Sequence, residues 1–132
     1  MTSLAVVESG QGAQDLPSFL PVWITEERVA ALYALDRFGD MTRVALTLPF
    51  QARRTLLYQV AARMACGEDR TAELLVRQAL FLDPNLSAVY IRTQETYADP
   101  CVTETLIMRN CDAGLPLTPG KSAARKRSVL FR

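Results

Sequence analysis

The stretch from Leu57 to Tyr90 constrains this chain more than any other. Small residues at Ala61, Ala72 and Ala79 are interleaved with larger apolar ones at Leu57, Val60, Met64, Leu75, Val76 and Leu80, at the three- and four-residue spacing of a helix face. Gly67 separates the two apolar stripes and Asp83-Pro84-Asn85 follows the second. Glycine accepts the left-handed conformation that ends a helix, and proline cannot continue one. The segment therefore reads as two antiparallel helices joined by a tight turn, approaching closely where the alanines meet. Pairs of this kind bury their apolar faces by packing against further helices.

The same punctuation recurs on either side. Thr25 with Glu26 and Glu27 reads as a helix start, with Val29, Leu32, Tyr33 and Asp36 on one face and Gly39 as the terminator. Asp40 caps a short helix that stops at Leu48, before Pro49. A third helix is expected from about Gln51 to Cys66, and a fourth from an Asp69 cap to Leu82, with Leu75, Leu80 and Leu82 on its buried side. Ser87 caps a fifth helix to about Ala98, with Tyr90, Ile91, Gln94 and Tyr97 along one stripe. Asp99-Pro100, a cap followed by proline at the first helical position, opens a sixth that carries Val102, Leu106, Ile107 and Asn110 and ends before Gly114. No segment alternates with period two, so no strand is expected. The fold class is all-α: about six short antiparallel helices stacked as helical hairpins.

Residues 16–114 form this helical domain, preceded by a flexible Gly-, Gln- and Ser-rich lead-in over residues 1–15. Leu16 to Ile24 holds two prolines among Phe19, Leu20, Val22 and Trp23, which predicts an extended segment whose Trp23 packs onto the first helices or a partner. Residues 115–132 read as a Pro/Gly linker and a basic tail.

At 132 residues, 49% hydrophobic and 22% charged, the chain is long and apolar enough to bury one core. No apolar run approaches the roughly 18–20 residues that span a bilayer, and the first ten residues lack the pattern of a secretory signal. A cytoplasmic location is the expectation. The three cysteines, Cys66, Cys101 and Cys111, are too few and too widely spaced for a disulfide framework or a CxxC metal site, and are expected to be reduced and structural. There is no histidine, the commonest general base and metal ligand. No metal, no cofactor and no enzymatic role are expected. All fourteen acidic residues precede position 113, whereas Lys121, Arg125, Lys126, Arg127 and Arg132 are five of the fifteen basic ones. Residues 1–118 are thus net −4, ten basic against fourteen acidic, and the tail is +5.

Gly114 to Ser122 looks superficially like a phosphate-binding loop, but five residues rather than four separate its glycines, two prolines remove amide donors, and no strand precedes it. A linker into the tail is the simpler reading. Lys121, Arg125, Lys126 and Arg127 are candidate contacts for nucleic acid or another anionic surface.

Residues 57–90 resemble a tetratricopeptide repeat, a helix–turn–helix unit of about 34 residues. Ala72 and Ala79 match its small positions, Val76 the large apolar slot between them, and Leu80, Leu82 and Asp83-Pro84-Asn85 its end. Tyr90 and Tyr97 match two aromatic positions of a following unit, from which Thr93 and Gln94 depart; the hairpin around Leu32 to Leu48 is cut short at Pro49. The resemblance, which extends by size to the tetratricopeptide-like chaperones of bacterial secretion systems, implies an adaptor or chaperone that holds a segment of another protein in a helical groove. Candidate groove residues are Tyr33, Arg37, Tyr58, Arg63, Tyr90, Gln94 and Tyr97. The alternative is a helical DNA-binding regulator using the fifth and sixth helices and the basic tail.

Overall fold

The computed structural model describes residues 21–119, an all-α bundle of six helices: α1 (Val22–Ala34), α2 (Phe38–Ala45), α3 (Arg53–Ala65), α4 (Asp69–Leu82), α5 (Ala88–Gln94) and α6 (Pro100–Asp112). The described residues contain no strand. The lead-in, residues 16–20 and the basic residues Lys121, Arg125, Lys126 and Arg127 lie outside the described residues.

The bundle is built around α3. Its residues 55–62 are all buried, more than two full turns without a solvent face. A helix apolar on one stripe needs one neighbour, whereas a helix buried all round needs several. α3 accordingly packs against α1, α2, α4 and α6. Gln59, caught in this all-round burial, is satisfied by donating to the Gln51 side chain, whose own amide donates to the Ala45 carbonyl at 3.0 Å. From the far side Asn110, fully buried on α6, donates to the Leu57 carbonyl at 3.0 Å and to the Leu106 carbonyl at 2.9 Å. Consecutive helices also pair, α1 with α2, α3 with α4 and α5 with α6. In the last pair it is α6 rather than α5 that lies mainly against α3.

The α3–α4 contact is as close as the alanines imply: Ala61, Ala72 and Ala79 have no exposed surface and Val76 has 2%. Three helices end in the same way. Gly67 at φ 80° follows α3, with Gly67 N–H donating to Met64 O at 3.1 Å and Glu68 N–H to Arg63 O at 2.8 Å. Gly114 at φ 117° repeats this after α6, and the next residue, Leu115, packs into the core. These are Schellman motifs, in which glycine carries the left-handed residue at little cost. The third instance ends α1, and there the left-handed residue is Asp36 at φ 61°.

Several boundaries differ from the sequence expectation for reasons visible in the caps. α1 begins at Val22, one turn early, because Pro21 already supplies the extended N-cap backbone; Thr25 is inside the helix. Trp23 is 63% exposed and does not pack onto the first helices. Asp36, not Gly39, terminates α1, and Gly39 lies within α2, whose N-cap position is Arg37 rather than Asp40. α4 contains Asp69, with Glu68 before it, and Leu82 is 53% exposed rather than buried. α5 stops at Gln94, so Tyr97 leaves the predicted stripe and lies in the connection to α6. Ser87 and Asp99 do cap their helices, accepting from Val89 N–H at 3.2 Å and Cys101 N–H at 2.9 Å. Beyond α6, Leu115 and Pro116 are buried and the Pro116 carbonyl accepts from Ala88 N–H at 2.9 Å, so the expected linker begins as part of the fold. Gly114 is a helix terminator, not the start of a phosphate loop.

Candidate functional site

α3 opens with Arg53 and Arg54, and basic residues at a helix N-terminus oppose the helix dipole. Each is offset by a carboxylate from a distant element. Arg53 Nη1 meets Asp83 Oδ2 at 2.5 Å, at the end of α4, and its guanidinium lies over the Tyr90 ring of α5 at 4.8 Å. Arg54 grips Glu95, just past α5, with Nε to Oε2 at 2.7 Å and Nη2 to Oε1 at 2.9 Å. Its remaining nitrogen reaches Glu27 of α1 at 2.8 Å. Glu95 is 5% exposed, a nearly dry carboxylate held by a two-pronged guanidinium.

Tyr58, one turn along α3, donates its hydroxyl to Glu95 Oε1 at 2.7 Å and meets the Tyr97 hydroxyl at 2.5 Å. Each hydroxyl has one proton. The assignment that uses the carboxylate has Tyr58 donating to Glu95 and Tyr97 donating to Tyr58, with the Ala30 carbonyl a longer contact at 3.3 Å. Burial foremost, then the Glu95 carboxylate, raises the Tyr58 proton affinity far above the ordinary tyrosine range, and burial pushes Tyr97 up to about 12. Glu95 in turn raises the proton affinity of Arg54. The cluster fastens α1, α3 and the α5–α6 connection with polar groups that satisfy one another.

Next to it the Tyr33 ring packs edge-on to Tyr58 at 5.4 Å between centroids. The Tyr33 hydroxyl accepts from Arg109 Nη1 of α6 at 3.0 Å and opens onto a cleft of about 330 Å³ between α1 and α6, lined also by Asp36, Asp99, Val102 and Thr105. No group of three or more Cys, Asp or Glu among the described residues is placed to hold a metal ion. Cys66 and Cys101 are exposed free thiols rather than core residues, and burial raises the proton affinity of the half-buried Cys111.

Of the seven candidate groove residues, three come together. Tyr33 and Tyr58 are 2% and 1% exposed, and Tyr97 hydrogen-bonds to Tyr58, so their surface is spent inside the fold. Arg37 pairs with Asp40 at 2.5 Å and Arg63 with Glu68 at 2.7 Å, each beside its own helix end. Tyr90 is half-buried under Arg53, and Gln94 is exposed at the end of α5. They line no common groove. The sequence reading passed over Arg54, Glu95 and Arg109; the signal for the first was a pair of arginines at a helix start, where carboxylates are the rule.

The most exposed large apolar side chain among the described residues, Phe81, lies elsewhere, on α4. Two residues on from Ala72 and Ala79, Leu74 and Phe81 fall about 200° round the helix from its buried side. Leu74 is 55% and Phe81 85% exposed, and the adjoining Leu82 53%. Arg70 and Arg77 run along one flank, exposed and with no carboxylate at ion-pairing distance among the described residues.

Comparison of the chain with protein-family models, curated proteins and solved structures gives no match. No helix among the described residues is long and apolar enough to cross a membrane.

Proposed function

We propose that this protein is a non-enzymatic cytoplasmic adaptor or chaperone that binds a segment of another polypeptide on the outward face of α4. The observation that carries the reading is Phe81, an aromatic side chain 85% exposed on a helix whose opposite side is fully packed. Burying a phenylalanine is worth about 1.5–3 kcal/mol, so an aromatic left in water on a rigid helix is an anchor awaiting a pocket. Leu74 one face-length earlier gives a second anchor at the spacing a helical partner reads, and Arg70 and Arg77 favour a partner with acidic residues beside its apolar stripe.

A narrower form of the proposal takes α3 and α4 as a tetratricopeptide-like unit, supported by the packed positions of Ala72, Val76 and Ala79. Its partner-binding surface is then the back of the second helix rather than a groove of first helices. The DNA-binding alternative draws less support. On α6 the one arginine, Arg109, points into the Tyr33 cleft, and Arg92 of α5 pairs with Glu104 at 2.6 Å.

The test is photo-crosslinking in cell lysate from a reactive residue placed at Phe81, with Leu74→Glu as the blocking variant and a reactive residue at the exposed Met108 of α6 as control. The reading expects one dominant heterologous product at 81, absent at 108, lost with L74E, and weakened by salt. Products only between copies of this chain, or equal labelling at 108 and 81, overturn it.

A further inference from the structure

Arg54, Arg63 and Arg109 are the half-buried arginines among the described residues, and the first two are each matched by a carboxylate. Arg109 is not. Its guanidinium is nevertheless held in place, hydrogen-bonded to the Tyr33 hydroxyl at 3.0 Å and set against the Tyr33 and Phe38 rings at 5.9 and 5.7 Å from their centroids. A guanidinium has five N–H donors, one is used here, and Arg109 lines the cleft, so donors remain for a ligand there. On the same cleft stand Asp36 and Asp99, neither paired with a cation among the described residues. Asp99 gives one oxygen to the Cys101 N–H. Burial raises the Tyr33 proton affinity most, while Arg109 opposes and Asp36 adds to it, so both charges are felt at one hydroxyl. One fixed cation and two carboxylates thus share a cleft without closing on one another.

We propose that the cleft between α1 and α6 binds a small zwitterion of the α-amino-acid class, its carboxylate on Arg109 and its ammonium between Asp36 and Asp99. The volume, about 330 Å³, is at the small end of ligand sites and suits one amino acid rather than a peptide. Tyr33, Ala34 and Val102 supply the apolar contact for a side chain. A dianion such as phosphate fits poorly, because it would face both aspartates without offering them a donor. This site is separate from the α4 face and stands or falls independently of it.

The experiment titrates the isotope-labelled full-length chain with L-leucine, N-acetyl-L-leucine (carboxylate only) and L-leucinamide (ammonium only), following amide shifts. The proposal expects saturable shifts confined to residues 33–36, 99–105 and 109, strongest for leucine and weaker for each half-ligand. Arg109→Met should weaken leucine and N-acetyl-leucine about tenfold or more, the loss of a charge-assisted pair. Asp36→Asn keeps a residue that tolerates the left-handed conformation, and should weaken leucine while leaving N-acetyl-leucine unchanged. Should R109M fail to fold, the Asp36 variant and the two half-ligands still decide. Absence of saturation with leucine, equal shifts from all three compounds, or an unchanged leucine affinity in D36N overturns the proposal.

Discussion

Replacing Glu95 by alanine tests whether the Arg54–Glu95–Tyr58 cluster holds the bundle together. The side chain is 5% exposed and accepts three bonds, from Arg54 Nε at 2.7 Å, Arg54 Nη2 at 2.9 Å and the Tyr58 hydroxyl at 2.7 Å. Removing one partner of a buried ion pair costs about 3–5 kcal/mol, because the survivor is left charged and unmatched. Arg54 keeps Glu27 at 2.8 Å and 20% of its side-chain surface in water, which places the loss at the lower end, about 3 kcal/mol. Against a total of about 5–15 kcal/mol that is a large share, and it corresponds to a fall in Tm of about 10–15 °C for a domain of this size. Urea unfolding followed by far-UV circular dichroism is the assay, since Trp23 is 63% exposed and reports the core poorly. Arg54→Met alone should cost a similar amount by stranding Glu95. The double variant Glu95→Ala with Arg54→Met should then be at least about 1 kcal/mol more stable than additivity allows, because the second change removes the group the first left unpaired. A loss below about 1 kcal/mol in E95A, or additive losses in the double variant, would refute the clamp.

Alkaline pH attacks the same cluster. Tyr58, Tyr97 and Tyr33 all hold their protons more tightly folded than the ordinary value of 10.0, Tyr97 up to about 12. The unfolded chain therefore releases protons first as pH rises. Stability should be full below pH 10 and fall between about 10 and 12; a stability flat to pH 12, or tyrosinate absorbance of the folded protein rising like that of the denatured one, contradicts this. Ala72→Leu or Ala79→Leu should overpack the α3–α4 contact and cost about 1–3 kcal/mol in the same unfolding assay; an unchanged midpoint would mean the helices do not approach as described. Asp36→Gly should stabilise by up to about 1 kcal/mol by relieving the left-handed aspartate, whereas Gly67→Ala at φ 80° should destabilise by about as much.

What the sequence showed and what it hid divide along a physical line. Local signals were legible: the Ser87 and Asp99 caps and the glycines at 67 and 114 depend on residues within a turn or two of each other, and the alanines of the α3–α4 contact lie on helices joined by a short turn. The end of α1 differs from the expectation because aspartate takes the place of glycine at Asp36, closing the helix with the bonds Asp36 N–H to Tyr33 O and Arg37 N–H to Leu32 O. Tyrosines were the larger difficulty. A half-polar ring on a helix face reads equally as surface or core, and the buried Tyr58 hydroxyl is satisfied because Glu95, thirty-seven residues later, arrives to accept its hydrogen bond.

That contact also explains why the sixth helix rather than the fifth packs on α3. A regular stack would continue α5 for another turn or more, carrying Tyr97 along its stripe. Instead α5 ends at Gln94, Glu95 turns inward to Arg54, and the Thr103 hydroxyl donates to the Glu95 carbonyl at 2.9 Å, tying the first turn of α6 to the same residue. Glu95 satisfies α3 with its carboxylate and α6 with its carbonyl, and so directs the chain between them. With α6 drawn in, Asn110 reaches the Leu57 carbonyl and Arg109 reaches Tyr33, which closes the core and forms the cleft at once. α4 receives no such covering. It packs chiefly on α3, and its far side keeps Leu74 and Phe81 in water.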